Sequence, residues 1–339
     1  MIEDNPVHAS ALRALAPVST IGRGNDVPSP DAWRALWFAL EQDGFTLPAV
    51  AADLGGTGGE LPDELAVIHA CAAVAARCPL PETAVAGALL AAAGHAVPPG
   101  PLSLVPPVGC ADLDLVDGLL DGMATGVPWA AQVGHVLVPL ARGVALVTLE
   151  GCDIEPGRNL AGEPRDSVRF RRHRPVAVLP EVSADALLLR GALMRSVQIC
   201  AAAEQALKLS IGYTTTRKQF GKPLASFQAV QHQIAGAASK LAAARILLDA
   251  AYDALQSGDA GREIAASRIN ACLAGGECAS VAHQVHGAMG YAWEYDLHRH
   301  TSAIQAWRAE FGPLAYWSER LGRQATAASS NDLWQFITS

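Results

Sequence analysis

The texture of the chain changes twice, and this restricts the fold more than any single motif does. Between Val97 and about Leu187, prolines and glycines cut the sequence into short apolar runs such as HVLVPL, GVALVTL and VAVLP. Such runs fenced by turn formers predict short strands. On either side the chain is rich in Ala and Leu and poor in β-branched runs, which favours helices. Helices are expected over 61–77 and 82–95, and again over 186–217, 223–256, 261–286 and 301–323, the last four long enough to pack as antiparallel rods. The expected fold is α+β, mainly α: an N-terminal helical domain (1–98), a middle β-domain (99–185) and a C-terminal four-helix bundle (186–325). With 339 residues, half of them hydrophobic, the chain can bury a core of that size.

Composition removes several functions. A formal net charge of −8 without a block of Lys or Arg argues against a nucleic-acid partner, which needs a clustered basic face. Charge, Gly or Pro interrupts the apolar stretches, so no membrane span is expected, and MIEDNPVHAS lacks the order of a signal peptide; the cytoplasm is the expected compartment. Seven cysteines scattered in apolar context read as reduced core thiols rather than a disulfide framework or a zinc site. His283, His286, His298 and His300 are close in sequence, but no carboxylate or cysteine set accompanies them, so no metal is expected there.

Two segments carry functional information. In YTTTRKQFGKPLASFQ, residues 213–228, a helix is expected to end at Arg217 and Lys218, with Gly221 in the left-handed position after it and Pro223 opening the next helix. An isolated Arg–Lys pair of this kind commonly does no more than complement a helix dipole. In HQVHGAMGYAWEYDLHR, residues 283–299, Gln284 precedes Gly287, Ala288 and Gly290, small residues that let backbone approach a ligand.

Together these segments resemble the acyl-CoA dehydrogenase family. Its R-x-x-F-G-x-x-L-x-x-x-Q pattern is matched by Arg217, Phe220, Gly221, Leu224 and Gln228, and its Q-x-x-G-G-x-G-[YF]-x-x-E-Y-P pattern by Gln284, Gly287, Gly290, Tyr291, Glu294 and Tyr295. LPAVAADLGGTGG is similar to a third family turn through Gly55, Gly56 and Gly58, with Pro48 three residues too far upstream. The resemblance implies that Arg217, Gln219, Phe220, Phe227, Gln228, Gln284, Gly287 and Ala288 grip the ADP half of an FAD shared across a subunit interface, where a guanidinium suits a diphosphate. Ala288 stands where the family has a glycine.

The same resemblance exposes what is missing. The family's reaction needs a carboxylate to take the α-proton of an acyl thioester. One family position for that base, seventeen residues after Glu294, is Phe311, and the other, twenty-six before Arg217, is Gly191. Glu310 is adjacent to the first, and reads either as a displaced base or as an exposed acidic residue. The flavin-ring segments of the middle domain have no counterpart in PPVGCADLDL (106–115) or VPWAAQVGHV (127–136), where Trp129 reads as a buried β-domain tryptophan. Arg165 and Asp166 in GEPRDS are expected in a solvated turn, and Arg169, Arg171, Arg172 and Arg174 along a strand edge.

What this implies is an FAD-dependent acyl-CoA dehydrogenase subunit without its own base, completed by a catalytic partner in an α2β2 assembly. It resembles the short subunits of actinobacterial heteromeric enzymes of steroid side-chain degradation, with a bulky acyl-CoA as substrate and an electron-transferring flavoprotein as acceptor. Two alternatives stay open: a self-sufficient dehydrogenase using Glu310, and a non-catalytic structural or acyl-CoA-binding homologue.

Overall fold

A computed structural model describes residues 2–17, 30–108 and 112–327. Residues 109–111 of the PPVGCADLDL segment and the polar tail beyond 327 lie outside the described residues. The N-terminal part is helical: α1 (Pro6–Leu15), α2 (Pro30–Gln42), α3 (Leu61–Ala73) and α4 (Leu80–Ala92). Asn5 caps α1 by accepting from the Val7 amide at 2.8 Å.

The middle part holds two four-stranded sheets. One has the order β1 (Leu102–Leu104), β4 (His135–Pro139), β5 (Val144–Thr148), β8 (Ala177–Leu179); the other has the order β2 (Asp112–Val116), β3 (Leu119–Pro128), β7 (Arg165–His173), β6 (Asp153–Glu155). The continuous apolar run at β4 has a physical cause, since the strand is buried on both faces. Val136 and Val138 join the core between the sheets with Trp129, Val168 and Phe170. Leu137 points the other way, into a core shared with Leu65 and Ile68 of α3 and with the long helix α5 (Ala184–Thr216). Trp129 is buried at 2 % exposure, as the sequence suggested.

Among the described residues, five helices make up the C-terminal part: α5, α6 (Gln228–Ser257), α7 (Gly261–His286), α8 (Leu297–Trp307) and α9 (Leu314–Ala327), with α7 packed against α5, α6, α8 and α9. Ser183 caps α5 through the Ala186 amide. By length and composition α5 could cross a membrane, contrary to the reading of the apolar stretches, but 83 % of its most apolar window is buried within the protein. Its hydropathy is that of a central core helix.

The single helix expected over 301–323 is two helices. Phe311 (φ 48°) and Gly312 (φ 89°) leave the right-handed region, and Pro313 follows. Buried Arg268 of α7 holds the break, its Nη2 donating to the carbonyls of Trp307 (2.6 Å) and Glu310 (2.7 Å), which replaces the helix bonds lost there. Of the seven cysteines, six are described and all six are unbridged, five of them buried.

Candidate cofactor surface and the filled base position

The Arg217 corner differs from a plain helix end. Arg217 leaves α5 in an extended conformation, and residues 218–219 pair antiparallel with 222–223. Phe220 (φ 51°) and Gly221 (φ 80°) form the tight turn of this hairpin, so Gly221 serves a β-turn and Pro223 its second strand, while α6 starts only at Gln228. A phenylalanine with positive φ is strained, yet its ring stands 92 % exposed. It meets Phe227 edge-on at 6.2 Å between centroids, and the Lys222 ammonium lies 4.4 Å from the Phe227 ring centre. Arg217, Gln219 and Gln228 are exposed as well.

At the end of α7 the chain passes into a short 3-10 turn at Gly287–Tyr291. A Cβ on Gly287 would meet nothing, and Gln284, Gly287 and Ala288 face outward. The two segments meet through Tyr213, in the last turn of α5, which stacks on His286 at 4.5 Å. The far end of that imidazole pairs with the Tyr295 hydroxyl at 3.0 Å. Gln284 and Gly287 line an open groove of about 740 Å³, together with His283, Tyr291, His298 and Gln305. Arg217, Gln219, Phe220, Phe227, Gln228 and Ala288 do not line it; the 213–228 segment is tied to this end of α7 through the Tyr213–His286 stack.

Sequence reasoning passed over His283, His298 and Gln305 as wall residues, although the small-residue motif between them was the available signal. The histidines are engaged singly. His283 stacks on Tyr291 and pairs with the Thr301 hydroxyl, and His298 stacks on Trp293. Burial pushes His283 and His286 down, and His300 to about 4.

The two positions where the resemblance led us to expect a base touch each other. The Phe311 ring, 1 % exposed, lies directly on Gly191, where any Cβ would overlap it. The Arg195 guanidinium sits 5.6 Å from the ring centre. Around them runs an ion network joining all three parts of the fold. Glu310 accepts from Arg165 at 2.7 and 3.0 Å and from Asn159 at 3.0 Å, and pairs with Arg195 at 2.7 Å. Arg195 also pairs with Glu82 of α4, and Arg165 with Glu163, which accepts from the Trp307 indole.

Glu310 is therefore not the exposed acid expected, nor is Arg165 in a solvated turn; their partners lie 145 residues apart in the chain. Asp166 too is buried, accepting from the Ala131 and Gly157 amides. Burial alone would push the Glu310 carboxyl up, but Arg165 and Arg195 hold it at about 2. A carboxylate so acidic and so fully paired is a poor proton acceptor at neutral pH.

Comparison with known proteins bears on the family and the fold. The family described as acyl-CoA dehydrogenase, C-terminal domain, matches residues 182–325. The acyl-CoA dehydrogenase IpdE2 of Mycobacterium tuberculosis is 31% identical over 267 residues, covering 78% of each chain. Among solved structures, the Tcur3481-Tcur3483 steroid ACAD G363A variant superimposes with a TM-score of 0.87 at 22% identity, over 95% of this chain and 98% of that one. The ChsE4-ChsE5 complex from Mycobacterium tuberculosis does so with a TM-score of 0.82 at 21% identity, over 96% and 97%. Both share the fold of helices, β-domain and helices described above. With the two motif segments on one surface and a relative similar over most of its length, the chain belongs to the acyl-CoA dehydrogenase family.

Proposed function

We propose that this chain is the base-less subunit of a heteromeric, FAD-dependent acyl-CoA dehydrogenase, contributing the ADP-gripping surface to a flavin whose ring and catalytic carboxylate belong to a different partner polypeptide. The observation that carries the reading is the contact between Phe311 and Gly191, which fills both base positions with apolar atoms while Arg217, Gln219, Phe220, Phe227, Gln228, Gln284, Gly287 and Ala288 stay at or near one surface. That surface fits a dinucleotide: a guanidinium for the diphosphate, an exposed ring at Phe220 for stacking and open backbone at Gly287. Bound FAD supplies the hydride acceptor. The chain's own part is to hold the ADP half and to orient it across the interface.

Two solved neighbours pair different chains by name, which supports a heteromeric assembly, for which we propose α2β2, and one is called a steroid enzyme, which supports a bulky, ring-bearing acyl-CoA as substrate. An electron-transferring flavoprotein fits as acceptor, and the cytoplasm as compartment. The self-sufficient alternative requires Glu310 as base, and its pairing with two arginines speaks against that role.

The test is Arg217→Ala in the co-expressed complex. It removes a charge-assisted contact of about 1.5–3 kcal/mol, so flavin affinity should fall roughly ten- to a hundredfold. Unchanged flavin content after dialysis would reject the assignment, and so would a yellow, active preparation of this chain alone.

A further inference from the structure

Far from the cofactor surface, the N-terminal segment meets the bundle at a cluster that the dehydrogenase reaction does not use. Glu3, His69 of α3 and Glu204 of α5 each aim one donor atom at a common point, all within 4.8 Å of one another. His69 Nε2 and Glu204 Oε2 are 3.2 Å apart. Two donors on a tetrahedral zinc at ~2.0–2.1 Å are about 3.3 Å apart, so this pair already has the separation of two ligands. Glu3 is exposed on the turn before α1, where its contact is Arg245 at 3.3 Å.

The opposite edge of the His69 ring is fixed as well, with Nδ1 2.9 Å from Nε2 of His8 on α1. In the tautomer in which His69 Nδ1–H donates to His8 Nε2, Nε2 of His69 is open to a cation. Both oxygens of Glu204 are shielded from solvent, and neither receives a well-aligned hydrogen bond. What neutralises them is Arg245, at 3.2 Å from Glu204 and 3.3 Å from Glu3. Those separations are long for charge-assisted bonds, unlike the 2.7 Å of Arg165 to Glu310. With 41 % of its side chain exposed, Arg245 can swing away. Cys200 lines the small cavity beside the cluster, but burial pushes its thiol up, and it is not counted as a ligand.

We propose that Glu3, His69 and Glu204 bind one divalent first-row cation of zinc type, with water completing the shell and Arg245 standing in its place when the metal is absent. Mixed imidazole and carboxylate donors suit zinc better than magnesium. The site would pin the N-terminal segment onto α3 and α5.

Equilibrium dialysis of the untagged, chelator-treated full chain against zinc chloride, with magnesium chloride in parallel, tests this. One zinc per chain is expected, with a rise in melting temperature and no such response to magnesium. Glu3→Gln, an exposed change that leaves the fold alone, should weaken zinc binding at least tenfold. Arg245→Gln should strengthen it about tenfold by removing the competing cation. The proposal fails if zinc does not bind stoichiometrically, or if it binds equally well to the parent and both variants, since that zinc would sit elsewhere.

Discussion

Phe311→Glu in this chain alone is expected to yield a protein that is colourless, inactive and less stable by several degrees. By the family resemblance the change would restore a base, but on the structure it removes a ring that fills the space over Gly191. Losing a buried phenylalanine costs about 3–5 kcal/mol. The new carboxylate would be buried beside Arg195, whose charge Glu82 and Glu310 already share, so it gains little compensation for desolvation. A melting temperature lower by roughly 4–7 °C follows for a chain of this size. Thermal melts, the visible spectrum and a dye-coupled assay with a bulky acyl-CoA measure all three consequences. A working dehydrogenase from this one substitution would overturn the view that the site is filled rather than merely short of a base.

Glu310→Gln gives the second large effect, and here stability and catalysis separate. Glutamine keeps the shape but removes the charge that Arg165 and Arg195 share, and leaving buried charges unpaired typically costs ~3–5 kcal/mol. Specific activity of the folded complex should nevertheless stay within a few-fold, whereas loss of a general base lowers rate by ~10²–10⁴. The acid limb of stability gives an independent check. Glu310 ionises more readily folded than unfolded, so its contribution is complete above the ordinary value of 4.5 and is lost as pH falls through about 2. That depression corresponds to roughly 3 kcal/mol. Between these two pH values the variant should lose less stability than the parent on acidification; an equally steep loss would remove Glu310 from the network.

The architecture was legible because it rests on local signals. Burial of β4 on both faces produces its unbroken apolar run, and the small residues of α5 and α7 announce close helix packing. The motif segments were legible for the same reason, each being a continuous string. What escaped the sequence depends on contacts between distant positions. Nothing near Glu310 names Arg165 or Asn159 as partners, so it read as solvent-facing. The hairpin at Phe220 escaped because a Gly–x–Pro string serves a helix corner as well as a β-turn. The break between α8 and α9 depends on Arg268, whose side chain reaches the carbonyls from another helix.

The fit of Phe311 onto Gly191 also constrains how such a chain can change over generations. Any side chain returned to position 191 collides with the ring, and a carboxylate returned to position 311 leaves a hole above a residue that has nothing to fill it. Each position thus blocks reversion at the other. On the proposed reading, a carboxylate returns to either position only through a single change that packs worse than the present pair, or through two changes at once. If the chain does depend on an outside carboxylate as proposed, this packing works as a ratchet that keeps the dependence in place.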